Sequence, residues 1–285
     1  MRILYLKKCL FLALALACPF TVFSQVDQIR EKLLKTDELL IAAHRAAHQN
    51  YPENSLQAIR EAIDLGVDIV EIDLRVTTDG TVYLMHDQTI DRTTTGSGDI
   101  EKLSNIDLQK STLLFEGKDS GIAIPTLEEA LEVTRGKIMV DLDLKTDKIA
   151  EVMAVVSKMD MLDEVIFFDS EWDILQEIKA KMPSAYVMPR VYKAKQIKKA
   201  YKKLDPVIVH IDASFDNPQT KLEARKYGVR LWINSLGKLD EELQEYPDSP
   251  QRYRLIENGA SVVQTDLPEA WLKVKTTSHM LDIEK

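Results

Sequence analysis

Cysteine is nearly absent from this chain of 285 residues, and both copies, Cys9 and Cys18, lie within the first 24 positions. That segment carries three basic residues, then an apolar run, then a Val-Phe-Ser sequence before Gln25, which is typical of a secretory signal peptide. We therefore expect residues 1–24 to be a signal peptide and the protein to be exported, to the periplasm or the cell exterior. Cleavage after Ser24 would leave a protein without disulfides or thiolate metal sites.

Long hydrophobic runs are also missing once the leader is set aside. After Gln25, no stretch approaches the roughly 18 consecutive apolar residues that a membrane helix requires. Leu16-Ala17-Cys18 offers one alternative, a degenerate lipidation site that would anchor the protein through an acylated Cys18. The sequence therefore predicts no transmembrane segment after the signal peptide.

Basic residues are outnumbered by acidic ones, 37 to 46, and the formal net charge is −9. It becomes −12 when Arg2, Lys7 and Lys8 are removed with the leader. No long basic run or basic patch with interleaved aromatics is present to bind a phosphate backbone. This balance excludes nucleic acid as a partner and favours divalent cations, while it gives no indication of the oligomeric state.

Short apolar runs rich in β-branched residues alternate with amphipathic helical patterns along the rest of the chain. The eight runs are 39–44, 68–73, 138–143, 165–170, 185–191, 207–213, 229–234 and 261–266. Eight strand-helix repeats in about 260 residues predict the α/β class and a TIM-type (β/α)8 barrel, formed by residues 25–285 as a single domain. An open doubly wound sheet is the rival, but no glycine-rich phosphate loop follows any of these runs.

A ninth strand-like run, 81–87, follows the second strand too closely for a helix to intervene. Asp79-Gly80 is a favoured two-residue type I′ turn, so we expect a β-hairpin in which Asp73 lies opposite His86. The next residues, about 88–124, are too polar for a barrel layer. They predict an insertion that covers one end of the barrel.

Acidic residues alternate along two of the hydrophobic strands. Glu71 and Asp73 share one strand face, and the run 141–145 repeats the pattern with two aspartates and a lysine. Buried acids repel one another unless they share a proton, a base or a cation, and hard oxygen ligands suit Mg²⁺ or Ca²⁺. Because functional residues of parallel barrels gather where strands end, these acids could form a metal-and-phosphate pocket. Alternatively, the face is solvated and Arg75 is the partner.

Two histidines have charged neighbours near these acids. His44 ends the first strand and precedes Arg45, and His86 follows from the hairpin register. Two imidazoles beside a metal can act as general base and general acid, since their pKa values lie near the working pH. We expect the other three histidines to be structural: His48, His210 and His279.

Residues 44–87 resemble the signature region of the glycerophosphodiester phosphodiesterase family. They hold, in the family's order, a His-Arg pair, Pro-Glu-Asn, Glu-x-Asp, a Thr-x-Asp-Gly turn and a closing His-Asp. The resemblance continues through segments that together span nearly the whole mature chain. These segments are 91–98, 124–131, 142–145, 232–234 and 259–268.

This resemblance implies metal-dependent hydrolysis of small glycerophosphodiesters to glycerol 3-phosphate and an alcohol. It implies an acid–base pair, His44 and His86, and three ligands of one divalent cation, Mg²⁺ or Ca²⁺: Glu71, Asp73 and Asp143. The residues implied to bind or orient substrate are Arg45, Lys145, Glu53 and Trp232, with Trp232 bordering the pocket. Asn54 is expected mainly to cap the helix that follows it.

Two residues depart from the family pattern, and two alternative functions remain open. Ala46 replaces a usual glycine after the His-Arg pair, and Asp143 is one methylene shorter than the usual glutamate, which leaves the cation's identity open. One alternative is a phospholipase-like phosphodiesterase that acts on intact lipid through an apolar rim on the 88–124 insertion. The other is a phosphodiester-binding barrel without catalysis.

Overall fold

The computed structural model describes residues 24–34 and 38–283, with side chains described as far as Lys275. Except for Ser24, the predicted signal peptide and the alternative lipidation site lie outside these residues. Ser24 itself is the N-cap of the first helix, where its hydroxyl accepts a hydrogen bond from the Asp27 backbone N–H. Within the described chain, no helix is both long and apolar enough to cross a membrane.

Eleven strands form in the described chain, and they include all eight predicted barrel strands. In order, they are β1 (Leu40–Ala43), β2 (Ile69–Val76), β3 (Val82–Leu84), β4 (Thr112–Phe115), β5 (Lys118–Ala123), β6 (Met139–Leu144), β7 (Val165–Asp169), β8 (Tyr186–Pro189), β9 (Ile208–Ile211), β10 (Arg230–Asn234) and β11 (Val262–Thr265).

The helices alternate with the barrel strands as predicted. They are α1 (Gln25–Leu33), α2 (Leu56–Leu65), α3 (Asn105–Leu108), α4 (Leu127–Thr134), α5 (Ile149–Met159), α6 (Trp172–Lys181), α7 (Lys195–Leu204), α8 (Pro218–Tyr227), α9 (Lys238–Glu245), α10 (Gln251–Ile256) and α11 (Pro268–Ile283), with 3₁₀ turns at Ile100–Lys102 and Ala213–Phe215.

The eight barrel strands are parallel and follow the order β8-β7-β6-β2-β1-β11-β10-β9. The ring closes between β8 and β9 through a single parallel bridge, Arg190 to His210. The Val191 N–H donates to the His210 carbonyl at 2.9 Å across this seam. The predicted (β/α)8 barrel is therefore confirmed, with its weakest ladder at the β8–β9 junction.

The barrel interior is apolar at the N-terminal ends of the strands. Leu40, Ile69 and Met139 are fully buried there, and the apolar face of α1, including Val26 and Leu33, closes this end. Side chains that point inward alternate along each strand, so the next inward positions toward the C-terminal ends are free to carry polar groups. The polar site is therefore confined to the opposite end, the usual location in this fold.

The β2–β3 hairpin forms, but its predicted register is wrong by one residue. Val76 pairs with Val82, and the Thr77 N–H donates to the Thr81 carbonyl at 3.0 Å, so three residues, 78–80, form the loop instead of two. The Thr77 hydroxyl donates to Asp79 Oδ1 at 2.6 Å, and Gly80 takes φ +82°, as a three-residue loop with a left-handed final residue requires.

This register changes the partner of Asp73. The Met85 N–H donates to the Asp73 carbonyl at 2.9 Å, so Met85, rather than His86, lies opposite Asp73. His86 instead follows the end of β3, where the Arg75 guanidinium donates to its carbonyl at 3.0 Å. His86 therefore lies one residue past the position opposite Asp73.

The 88–124 insertion packs onto the hairpin through an apolar cluster of its own. Ile90, Ile100 and Leu113 are buried against Tyr83 and Met85. The antiparallel pair β4–β5 and the short α3 complete the insertion. Its apolar residues therefore attach it to the barrel.

Candidate active site

The acid-bearing strands β2 and β6 lie side by side, in a register that pairs Glu71 with Asp141 and Asp73 with Asp143. Since every second side chain of a strand points inward, each of these two strands carries a row of inward-facing side chains. From the N-terminal end, each row holds one apolar residue, then two acids, then a base. Arg75 is the base on β2, and Lys145 follows directly after β6. The alternation of acidic and apolar residues in the sequence therefore correctly predicts that the acids of each strand share one face.

Three of these acids converge on one point. Glu71, Asp73 and Asp143 each offer a carboxylate oxygen, and these oxygens lie within 4.8 Å of one another. Burial raises the pKa of Glu71 well above its usual range, and the charges of Asp73 and Asp143 raise it further. Burial likewise raises the pKa of Asp143, with an added contribution from Asp73 that Lys145 opposes. Three carboxylates this close together repel one another unless a positive charge compensates them.

The carboxylate oxygens fit a single divalent cation. Two oxygens bound to one Mg²⁺ or Ca²⁺ at about 2.0–2.6 Å can be at most about 4–5 Å apart. The Arg45 backbone N–H donates to Glu71 Oε2 at 2.7 Å, and Asn54 Nδ2 donates to Asp73 Oδ2 at 2.9 Å. Glu71 Oε1 and Asp73 Oδ1 are buried without a hydrogen-bond partner among the described residues. Glu71 and Asp73 therefore each have one oxygen held by a hydrogen bond and one oxygen available to a cation.

Asn54 holds this arrangement in place and is not the helix cap that the sequence predicts. The cap of α2 is Ser55, whose hydroxyl accepts from the Ala58 N–H. Asn54 takes a positive φ of 58° and its Oδ1 accepts from the Asp73 N–H at 3.2 Å. The turn before α2 thus brings an amide onto both the side chain and the backbone of Asp73.

Asp141 lies one step deeper than the three acids. It is fully buried opposite Glu71, and its Oδ1 has no hydrogen-bond partner in the described chain. Burial raises its pKa well above the usual range, and Asp143 contributes to the rise. Asp141 is not part of the converging group.

Two cationic side chains flank the acids, as the sequence predicts. Lys145 Nζ lies 2.7 Å from Asp143 Oδ2 and 3.5 Å from Asp73 Oδ1. Burial opposes the charge on Lys145, but these two carboxylates outweigh burial and raise its pKa. Arg45 Nε lies 3.5 Å from Asp73 Oδ2, and its Nη1 donates to Glu53 Oε1 at 3.0 Å. Both could contact phosphate oxygens beside the acids.

His44 is held by a carboxylate that the sequence reasoning missed. Its Nδ1 lies 2.7 Å from Asp266 Oδ1. Asp240 Oδ2 in turn accepts from the Asp266 backbone N–H at 2.7 Å. Burial alone would raise the pKa of Asp266, but the hydrogen bond from His44 outweighs it and the pKa is lowered. A signal existed, since Asp266 belongs to the 259–268 segment of the family resemblance.

His86 has a matching arrangement. Its Nδ1 lies 2.6 Å from Asp87 Oδ1, and Arg92 Nε donates to Asp87 Oδ2 at 2.5 Å. Arg92 also donates to both carboxylate oxygens of Glu53, at 2.8 and 2.9 Å. The hydrogen bond from Arg92 is the main reason that the pKa of Asp87 is far below its usual range. Arg92 comes from the insertion, which therefore supports the site.

Trp232 does not border the cavity as the resemblance implies. It is fully buried in the apolar interior cluster with Leu40 and Val262. Its indole N–H donates to Gln264 Oε1 at 3.0 Å, and Gln264 is the residue that reaches the cavity wall. Trp232 therefore contacts a cavity-lining residue but does not reach the cavity itself.

A cavity of about 570 Å³ opens at this end of the barrel. One side is lined by His44, Glu71, Asp143 and Lys145, and the other by residues near the C-terminal ends of β7 to β11. A (β/α)8 barrel with converging acids and two carboxylate-bound imidazoles at its C-terminal mouth defines an enzyme suited to phosphodiester hydrolysis.

The comparisons with known proteins agree with this class. The sequence model of the glycerophosphoryl diester phosphodiesterase family matches residues 44–212. The chain therefore belongs to this family, and the protein is a phosphoric diester hydrolase. The match includes the acids, both histidines, Arg92 and Lys145.

Similar proteins cover most of the chain. The glycerophosphodiester phosphodiesterase of Caldanaerobacter subterraneus subsp. tengcongensis is 25% identical, over 82% of this chain and 97% of its own. A crystal structure of the Agrobacterium tumefaciens enzyme of the same name, 25% identical, has a TM-score of 0.69 over 81% of this chain and 98% of its own. An Oleispira antarctica phosphodiesterase, 24% identical, shares the fold with a TM-score of 0.70 over 84% and 96%.

Proposed function

We propose that the protein hydrolyses glycerophosphodiesters to glycerol 3-phosphate and an alcohol, with one divalent cation and two histidines. The observation that carries this proposal is the pair of His–Asp contacts, His44–Asp266 and His86–Asp87, beside the converging acids. The Oleispira relative was solved in complex with the product sn-glycerol 3-phosphate, which supports the same product here.

The carboxylates set the form of each imidazole. A carboxylate at Nδ1 favours a proton on that nitrogen, so Nε2 is left to exchange a proton with substrate. One histidine would take a proton from the attacking oxygen, either water or a glycerol hydroxyl, and the other would protonate the departing alcohol. Attack by the hydroxyl would pass through a cyclic phosphate.

The other polar residues bind and orient the diester. Glu71, Asp73 and Asp143 would hold the cation, which when bound supplies positive charge to the phosphoryl oxygens. Arg45 and Lys145 would contact those oxygens directly and offset charge that develops on them. Glu53 joins Arg45 to Arg92 and so fixes the guanidinium that faces the phosphate.

The structure gives little support to an intact lipid as the substrate. Among the described insertion residues, Leu108 and Leu113 are 1% exposed, and only Ile106, at 68%, belongs to the strongly exposed large hydrophobics. One exposed isoleucine is not an apolar rim, since single exposed apolar residues are common on soluble proteins. The presence of His44, His86, Glu71 and Asp73 likewise disfavours a non-catalytic binding barrel.

The test is release of glycerol 3-phosphate from glycerophosphocholine and glycerophosphoethanolamine, with Mg²⁺ or Ca²⁺ and with chelator. We expect cation-dependent release, and loss of roughly 10²-fold or more in His44→Ala and His86→Ala. Calorimetry should show that both variants keep their cation affinity. A nitrophenyl phosphodiester needs little protonation of its leaving group, so it should rescue only the variant that lacks the general acid.

Three outcomes would each refute part of this proposal. No release from any glycerophosphodiester would overturn the activity. Release that persists in chelator would overturn the need for a cation. Near wild-type turnover in both histidine variants, or loss of cation binding in both, would overturn the two-histidine mechanism. The exported location stays a prediction from the sequence, which leaves the choice between Mg²⁺ and Ca²⁺ open.

A further inference from the structure

His48 is one of two histidines with described side chains that the proposed chemistry does not use. The other, His210, is buried in the barrel, where its Nε2 lies 3.0 Å from Asn234 Oδ1. His48 is only partly buried and lies in the loop between β1 and α2, four residues after His44. Its ring stands edge-on to the His44 ring, with the two centroids 6.3 Å apart. It is therefore close enough to affect the position of His44.

The turn that follows His44 is strained. Arg45 takes φ +49° and Ala46 takes φ +65°, so two successive residues with a Cβ adopt the left-handed conformation that favours glycine. Such conformations persist only where surrounding contacts hold them. The Arg45 N–H donates to Glu71 Oε2 at 2.7 Å, and the Ala46 N–H donates to the Glu71 carbonyl at 3.1 Å. Relaxation of the turn would therefore move His44 and Arg45 relative to the acids.

The His48 ring bridges the main chain on both sides of the two strained residues. Its Nδ1 lies 2.9 Å from the His44 carbonyl oxygen and 3.2 Å from the Ala46 carbonyl oxygen. Since carbonyl oxygens only accept hydrogen bonds, Nδ1 carries a proton and donates to both. No other donor among the described residues reaches either oxygen. One side chain thus connects the start of the turn to its end.

The other ring nitrogen faces the carboxylate that orients His44. His48 Nε2 lies 3.6 Å from Asp266 Oδ1, the same oxygen that lies 2.7 Å from His44 Nδ1. A separation of 3.6 Å is too long for a direct hydrogen bond, whereas both contacts of Nδ1 are within range. The contacts with the main chain are therefore the stronger link between His48 and His44.

Ala46 makes the turn depend on this link. A glycine would adopt φ +65° without steric cost, so a turn with glycine there would stay formed with weaker contacts. Alanine favours negative φ, and the hydrogen bonds from the His48 ring oppose that preference. The effects of substituting His48 and Ala46 should therefore depend on each other.

We propose that His48 is a positioning residue, which holds the strained turn and thereby fixes His44 and Arg45 for phosphodiester hydrolysis. It is not among the residues that line the cavity, and it acts through the main chain of the turn. The inference rests on the proposed function, because it assumes that His44 exchanges a proton with substrate.

The first test measures kcat and KM for glycerophosphocholine in wild type, His48→Ala, Ala46→Gly and the double variant. We expect His48→Ala to lower kcat about tenfold, since the turn loses two hydrogen bonds and relaxes toward negative φ. Ala46→Gly alone should change kcat by no more than about twofold, and in the double variant it should recover most of the loss. Effects of the two substitutions that simply multiply would overturn the proposal.

Two conservative variants separate the contacts with the main chain from the contact with Asp266. In His48→Asn the amide nitrogen is bonded to Cγ, as Nδ1 is in histidine, so the donor to the two carbonyls is kept. The longer side chain of His48→Gln places its amide nearer to the position of Nε2. We expect His48→Asn to keep most of kcat and His48→Gln to resemble His48→Ala, and the reverse order would overturn the proposal. Asn50→Ala, at an exposed position of the same loop, is the matched control.

Hydrogen exchange separates failure of this inference from failure of the proposed function. The Arg45 and Ala46 amides are protected while the turn holds them against Glu71, so their exchange, followed by NMR, reports on the turn without any turnover. We expect exchange about tenfold faster in His48→Ala than in wild type, and near wild-type exchange in His48→Asn and in the double variant. If wild type releases no glycerol 3-phosphate, the proposed function fails, while exchange still tests the role of His48 in the turn.

Three results of these measurements would overturn the inference. They are unchanged exchange in His48→Ala, faster exchange that Ala46→Gly does not reverse, and faster exchange with unchanged kcat. Thermal melting checks that each variant is folded. If His48→Ala does not fold, His48→Gln takes its place in every comparison.

Discussion

Replacing His210 with glutamine should make the free energy of unfolding fall less steeply as the pH is lowered. Burial, with a smaller contribution from the charge of Arg190, lowers the pKa of His210 from its usual 6.5 to about 3. The native protein therefore keeps this imidazole neutral in mildly acidic solution. The unfolded chain takes up a proton there as the pH falls below about 6.5, so the native state loses stability relative to it.

The size of this effect follows from the two pKa values. One unit of difference is worth about 1.4 kcal/mol, and the loss accumulates from about pH 6.5 down to about pH 3. Between about pH 7 and about pH 5, His210 alone should cost about 2 kcal/mol of unfolding free energy. Asp169 acts in the opposite direction, because burial raises its pKa to about 6 and its protonation favours the native state. Only the difference between wild type and the variant isolates His210.

The assay is urea unfolding of wild type and His210→Gln at several pH values in that range. Glutamine keeps a donor for Asn234 Oδ1 but does not titrate. We expect the stability difference between the two proteins to change by about 2 kcal/mol between about pH 7 and about pH 5, with wild type losing more. Parallel stability curves would refute the assignment of a neutral, buried His210.

Three further predictions concern the site. Asp143→Glu should change the ratio of Mg²⁺- to Ca²⁺-supported turnover more than it changes melting temperature, and identical ratios would place Asp143 outside the metal shell. Asp266→Asn should lower kcat roughly 10²-fold at similar KM, because His44 loses the carboxylate that fixes its tautomer; an unchanged pH–rate profile would contradict this. Arg92→Gln should lower kcat and shift one limb of that profile while cation affinity stays constant by calorimetry, since Arg92 holds Asp87 rather than the cation.

The acid columns were predictable because side-chain direction has a period of two in a strand. Glu71 and Asp73 share a face for this reason, and Lys145 follows Asp143 by the same rule. The count of eight strand-helix repeats then placed both columns at one end of the barrel. None of this required knowledge of contacts between distant residues.

The hairpin register was not predictable from the Asp79-Gly80 turn alone. Thr77 can bond Asp79 and Thr81 through its hydroxyl, and these side-chain contacts favour a three-residue loop over the two-residue turn. Both turns suit an aspartate followed by a glycine. The choice depends on local hydrogen bonds that residue preferences do not encode.

Asp266 and Arg92 were missed because their contacts are long-range. Asp266 is 222 residues from His44 and meets it only because β11 pairs with β1 when the barrel closes. Arg92 is 39 residues from Glu53 and reaches it across the mouth from the insertion. The strand pattern also does not give the depth of a side chain along the barrel axis. It places Trp232 on a barrel strand, but it does not show that the indole lies in the apolar layer below the cavity.

The two departures from the family pattern affect different parts of the site. Ala46 adopts φ +65°, a conformation that costs a residue with a Cβ about 1–2 kcal/mol. Glycine would relieve that strain but would lose about 0.8 kcal/mol of methyl burial and about 0.5–1 kcal/mol of chain entropy, so the two residues are nearly balanced. Ala46 is buried in the core cluster that includes Ala58, and it is not among the residues that line the cavity.

Asp143 differs, because its side chain lies among the converging acids. Lys145 lies 2.7 Å from Asp143 Oδ2, so only the other oxygen is free to bind a cation while this ion pair holds. Asp143 would then offer one oxygen to a cation, whereas both oxygens of a carboxylate are common ligands of Ca²⁺. A glutamate, one methylene longer, could approach with both oxygens or release Lys145 to the phosphate. A change from one available oxygen to two is therefore what Asp143→Glu tests, whichever cation the site binds.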